Sequence, residues 1–137
     1  MMKTFTQIKS VLFLISMLCV QNFLVGQAGP MKFVIDAPAE IAGDYQLYRS
    51  QFGPADNNEI LDKPIKLGDP ILGCSALTNS LTGTIGFLDR GVCNIIDKVR
   101  NGQNAGALAV IICTDDRDPV NATGTGTITI KSFMMEK

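Results

Sequence analysis

The cysteines are the residues of this chain with the widest chemical reach. There are four, Cys19, Cys74, Cys93 and Cys113, and no histidine at all. A thiolate can act as a nucleophile, bind metal or pair into a disulfide. Nucleophilic use needs a neighbouring base, and without histidine the Ser-His-Asp and Cys-His arrangements are excluded. Cys113 ends an apolar run and reads as a buried, inert small hydrophobe. Cys74 and Cys93 fall short of the four ligands that a structural zinc site needs. Asp115, Asp116 and Asp118 lack the alternation, the Gly and the distal Glu of a calcium loop and read as a solvated loop. Asp89 and Arg90 stand beside Gly91, where a carboxylate can accept backbone N–H bonds and a guanidinium can tie down carbonyls, so they read as braces of a turn. Gly124 and Gly126 do not sit between the first strand and helix of a βαβ unit, which removes the phosphate-loop reading. No acidic pair falls in a glycosidase-like motif. These observations predict no catalytic residue, no metal site and no cofactor.

The compartment decides what the thiols do. Lys3 and Lys9 precede an apolar run at 11–25, and small residues follow at Gly26 and Ala28. This is the layout of a secretory signal, and the run is too short and too interrupted for a membrane span. Leu18 before Cys19 argues against lipidation. The expectation is a signal peptide at 1–26, cut after Gly26 or Ala28, and export to the secreted, extracellular or cell-surface space. The remainder carries ten basic and thirteen acidic residues, a net −3. With no basic patch, nucleic acid is not an expected partner, and with no second long apolar run the mature part is expected to leave the membrane. Three cysteines then meet an oxidising compartment, so one disulfide and one leftover thiol are predicted. Asn121-Ala122-Thr123 is a glycosylation sequon, relevant where the source glycosylates such sites.

The positioning elements follow from the hydrophobic pattern. Residues 31–35 read as a first strand, and 44–52 as a strand or short helix. Pro64 demotes 60–67 to an edge or irregular segment. Residues 74–82 are polar and loop-like. Residues 84–88 (TIGFL) form a compact apolar strand closed by Asp89-Arg90-Gly91. Asn94 is an N-cap candidate. Ile95, Ile96, Val99 and Ala105 share one helical face, with Asp97, Lys98 and Arg100 mostly outside it. Gly102 inside the helix costs roughly 1 kcal/mol relative to Ala, and Gly106 suits the C′ position. Residues 108–113 (LAVIIC) are apolar without alternation, as in a strand covered on both faces. Together these make a βαβ unit. Residues 127–130 alternate Thr and Ile and predict a half-buried strand. The apolar Phe133, Met134 and Met135 at the very end predict a sequence that stops inside or just at the edge of its domain.

The stretch 83–116 resembles the centre of a protease-associated (PA) domain. An apolar strand, Asp89-Arg90-Gly91, Cys93, a helix with Lys98, then Asn101, Gln103, Ala105-Gly106-Ala107 and the apolar run 110–112 occur in the family's order. Residues 127–135 are similar to a later family segment, and Cys74 stands where many members place the partner of Cys93. Ile95, Gly102 and Lys131 replace the usual Phe, Ala and Pro. The resemblance implies a mixed α/β domain of the swivelling β/β/α type, a β-sandwich or open barrel with flanking helices, truncated at its C-terminus. It divides the chain into 1–26, N-terminal strands and a loop at 27–59, and the domain core at 60–137. It implies a Cys74–Cys93 disulfide and a structural role for Asp89, Arg90, Gly91, Lys98, Gln103, Ala105 and Gly106. It also implies a non-catalytic accessory module whose partner is a protein or peptide segment, or a peptidase domain in the same chain. The alternative expectation is that the sequence is the N-terminal piece of a secreted peptidase whose catalytic domain lies beyond residue 137.

Overall fold

The computed structural model describes residues 31–55, 60, 62–119 and 122–136. The expected signal segment, its cleavage site and Asn121 of the sequon lie outside the described residues.

Among the described residues the strands are β1 (Lys32–Ile35), β2 (Gly43–Arg49), β3 (Ile65–Leu67), β4 (Ile85–Asp89), β5 (Ala109–Cys113) and β6 (Lys131–Met135), with a helix, α1 (Ile95–Asn104), between β4 and β5. They form one six-stranded mixed sheet in the order β1-β2-β6-β5-β4-β3. The β1–β2 and β2–β6 pairs are antiparallel, while β3, β4, β5 and β6 run parallel. This is a mixed α/β fold, and among the described residues one helix flanks the sheet. The three-residue β3 sits at an edge next to Pro64, as that proline predicts.

The sheet has an apolar cluster on each face, which is why 109–113 shows no polar alternation. Val110 and Ile112 join Leu81, Leu88, Ile96, Val99 and Met134 on the helix side. Ala109 and Ile111 join Leu47, Ile85, Phe87 and Met135 on the other. All four of these β5 residues are at most 1 % exposed. Phe33 from β1 reaches over that second face, its ring centroid 5.6 Å from that of Phe87.

Helix α1 starts where the sequence places it. Asn94 is extended at the N-cap (φ −63°, ψ 140°), though its side chain caps no backbone N–H and donates instead to Asp97 Oδ2 at 3.3 Å. Ala105 is the C-cap, and Gly106 follows with φ +90°, in the left-handed region where a side chain is strained. Gly102 has a different reason to be glycine. A Cβ there would lie 2.5 Å from Val110 Cγ2, so the helix approaches β5 closely only because the side chain is missing. The local helix cost is the condition of that approach.

The structure corrects two expectations. The strand predicted at 127–130 is irregular; Ile128 is buried and Ile130 is partly buried against the helix-side core, while the strand itself is 131–135. Lys131, which stands where the resemblance leads one to expect proline, opens this strand and pairs with Ala109. Lys98, placed by the sequence mostly off the inner helical face, is fully buried. Counting from Ile95, the inner face runs through positions i+3, i+4 and i+7, which are Lys98, Val99 and Gly102.

Candidate functional site

The parallel strands β4 and β5 end at the same side of the sheet as the start of α1. In open α/β sheets that is where a crevice forms. Here a cleft of about 630 Å³ is lined on one side by Arg90, Gly91, Cys93 and the first turn of α1, and on the other by Arg117 and residues 122–125. Val92, on the turn between Gly91 and Cys93, is 96 % exposed.

The turn is fixed from behind. The Arg90 N–H donates to the Cys113 carbonyl at 2.8 Å, and Arg90 Nη1 donates to the Asp118 carbonyl at 2.8 Å. The Asp89 N–H donates to the Ile71 carbonyl at 2.9 Å. Arg117 Nε donates to Asp115 Oδ1 at 2.7 Å, a second nitrogen forms an ion pair with Oδ2, and the same nitrogen reaches the Gly91 carbonyl at 3.4 Å. The Arg117 hydrogen bonds hold the Asp115 carboxyl down at about 2. Arg100 Nη1 pairs with Asp97 Oδ1 at 2.6 Å. The guanidinium groups around the cleft are thus oriented by internal partners. Asp97 in the first turn also suits the positive end of the helix dipole.

Cys74 and Cys93 form a disulfide that ties the connection between β3 and β4 to this turn. Lys98 lies directly behind it. Its ammonium donates to the Leu72 carbonyl and lies 3.6 Å from Cys74 Sγ. Burial lowers the Lys98 pKa, and the Asp89 carboxylate opposes that shift. One turn on, Asn101 Nδ2 donates to the Gly73 carbonyl at 2.9 Å. Gln103 works on the other side: its Oε1 accepts the Thr129 N–H at 2.7 Å and the Thr129 hydroxyl at 3.2 Å. The Ala105 carbonyl accepts the Leu81 N–H at 2.8 Å.

The residues singled out in the sequence therefore divide. Arg90, Gly91 and Cys93 border the cleft, while Asp89, Lys98, Gln103, Ala105 and Gly106 are not in its lining. Cys113 lies outside the disulfide and is half-buried. Sequence reasoning missed the second wall of the cleft, 122–125, because only the return of the chain to β6 brings it over the helix start. Nothing in the local sequence signals that return.

A family model described as the PA domain matches residues 47–137. A PRADC1-like protein of Drosophila melanogaster is 34 % identical over 88 residues, covering 62 % of this chain and 45 % of the fly protein. ER degradation-enhancing alpha-mannosidase-like protein 3 of Xenopus laevis is 31 % identical over 91 residues, 65 % of this chain and 8 % of the frog protein. Signal peptide peptidase-like 5 of Arabidopsis thaliana is 32 % identical over 72 residues, 50 % of this chain and 13 % of the plant protein. The chain thus spans less than half the length of these relatives. Among solved structures, a zinc aminopeptidase from Bacillus subtilis superposes with a TM-score of 0.56 at 19 % identity, covering 71 % of this chain and 24 % of that enzyme. That likeness concerns the fold.

Proposed function

Since the chain belongs to the PA domain family, we propose that its mature part is a non-catalytic accessory module that holds a protein segment, or a neighbouring catalytic domain, in the cleft at the start of α1. The observation that carries this reading is the cleft itself. Its lining carries guanidinium groups already oriented by Asp97, Asp115 and the Asp118 carbonyl, and the almost fully exposed Val92 stands on the turn between two of its lining residues, Gly91 and Cys93. A preorganised wall of this kind binds without first ordering long side chains. The sequence without histidine supplies no general base of the usual kind.

Export through a signal at 1–26 is part of the proposal. It agrees with relatives named for ER degradation and signal peptide peptidase-like function and with a disulfide in the fold. The segments 27–59 and 60–137 act as one unit in this reading, because β2 pairs with β6.

Chemical-shift mapping tests the function. Extended peptides, or a secreted peptidase catalytic domain, are expected to shift resonances of 90–97 and 122–125, with no peptide hydrolysis by the isolated chain. Shifts from neither ligand class, or turnover by the isolated chain, would overturn the reading. A catalytic domain in the same chain is a second reading, favoured by the small share that the matched segment takes of the frog and plant proteins. Coding sequence beyond codon 137 decides between a partner in the same chain and a separate one.

A further inference from the structure

We infer that the Cys74–Cys93 bond is a directed thiol-exchange site: a low-molecular-weight thiolate entering the cleft attacks Cys93, and Cys74 leaves as a thiolate held by Lys98. The two sulfurs differ in their partners and not in access: Cys74 is the more exposed residue and Cys93 is half-buried. Cys93 lines the cleft with Arg90 and Arg117. Cys74 Sγ lies 3.6 Å from the ammonium of the buried Lys98.

Among the described residues, that ammonium in the disulfide state faces neutral acceptors at hydrogen-bond range, the Leu72 carbonyl and a disulfide sulfur, with the Asp89 carboxylate acting on it from β4. An ammonium has three N–H donors and is best matched by an anion. A thiolate on Cys74 supplies that anion without moving the backbone. Asn101 and Lys98 hold the two carbonyls just before Cys74, those of Gly73 and Leu72. The corner is therefore better matched to the product of exchange than to the intact bond, and attack is steered to the other sulfur. A lower-pKa thiol is the better leaving group. Cys93 directly precedes the N-cap Asn94, so a thiolate there gains from the helix dipole as well. That field is shared with the open cleft, where it draws in the attacking anion.

The step balances without an external oxidant or reductant. The incoming thiolate, deprotonated in solvent, forms a new S–S bond to Cys93. The Cys74–Cys93 bond breaks, its electron pair leaves on Cys74, and the Lys98 ammonium keeps its proton. Lys98 from α1 faces the departing sulfur, the Asp89 carboxylate from β4 acts on Lys98, and Cys93 on the turn is the sulfur's bonded partner.

The test is a brief exposure of the oxidised protein to glutathione at neutral pH, followed by acid quench, alkylation and peptide mapping. The expected result is glutathione on Cys93 and the alkyl group on Cys74, favoured about tenfold, since a directly paired thiolate is favoured by one pKa unit or more. Equal labelling, or glutathione mainly on Cys74, overturns the inference. In Lys98→Gln the preference should fall toward equality, and a preference that survives there removes Lys98 from the account. Should that variant fail to fold, the alkylation rate of Cys74 in the Cys93→Ser protein still decides. Its midpoint should lie below the ordinary thiol value of about 8.5, and a midpoint at or above that value sinks the idea.

Discussion

Two connections of equal length, 68–84 between β3 and β4 and 114–130 between β5 and β6, are held to the same helix in opposite ways. The first carries Leu81 into the core, is joined by the disulfide, and is gripped from beneath by buried Lys98 and by Asn101. It also braces itself: Thr78 donates to Asp69, and Asn79 bonds both the Asp69 N–H and the Leu67 carbonyl. The second relies on exposed contacts, the Asp115–Arg117 pair, Arg90 on the Asp118 carbonyl and Gln103 on Thr129, with Ala122 and Ile128 as its apolar anchors. Exposed pairs contribute little, whereas covalent and buried ties contribute much. The cleft thus has one wall backed by a fixed connection and one wall that moves at lower cost, as the proposed binding of segments of differing shape would need.

The contrast can be broken most severely at the disulfide. Replacing both partners, Cys74→Ala with Cys93→Ala, should cost about 3 kcal/mol in the chain-entropy model for a loop of this size, read as a lower denaturant midpoint. An unchanged midpoint would mean that the first connection is held by its polar contacts alone.

Next comes Lys98→Met, which keeps the volume but takes the donor from the Leu72 carbonyl; we expect a loss of about 2 kcal/mol. Lys98 also gives a sign to the alkaline response. Burial lowers its folded pKa below the ordinary 10.5, so between the two values the unfolded chain binds more protons. Wild type should therefore gain stability relative to Lys98→Met as pH rises through that interval, and a decline in chemical-denaturation series would contradict the buried environment.

Gln103→Ala acts on the second connection. It removes the acceptor of the Thr129 N–H and should cost about 1 kcal/mol, with faster amide exchange confined to 122–130. Exchange that also rises in 68–84 would show the two connections to be coupled. The smallest effect belongs to Asp115. Its pKa is lowered from 3.8 to about 2 by the Arg117 hydrogen bonds, so its contribution is present above the unfolded value and is lost as pH falls through about 2. An NMR titration of the Asp115 carboxyl reads this directly, and because the pair is exposed the thermal midpoint should barely respond.

How much of this was legible depended on whether neighbours in sequence or neighbours in space did the specifying. The β4-α1-β5 unit was readable because its apolar runs, its turn and its C′ glycine are all local. The disulfide followed from a resemblance, not from spacing. The charge of Lys98 points to solvent, whereas its position, i+3 from Ile95, points inward, and position wins. Gly102 looked like a defect for a similar reason, since Val110 is not adjacent in the chain. The Thr-Ile alternation of 127–130 mimics a strand and places the last strand four residues before its actual start. What makes 131–135 a strand is a pair of neighbours, β2 and β5, which no local pattern records. The second cleft wall was unreadable on the same ground.

The placement of β6 between β2 and β5 has a consequence for the order in which the molecule is made. During synthesis the β1–β2 hairpin emerges early, and β3, α1, β4 and β5 can assemble as a local parallel unit, but these two pieces share no strand pairing until residues 131–135 arrive. A two-stranded hairpin alone is marginal in water. The ribosome therefore delivers the keystone after the other five strands, and until then the nascent chain carries two open sheet edges that a single later segment closes together.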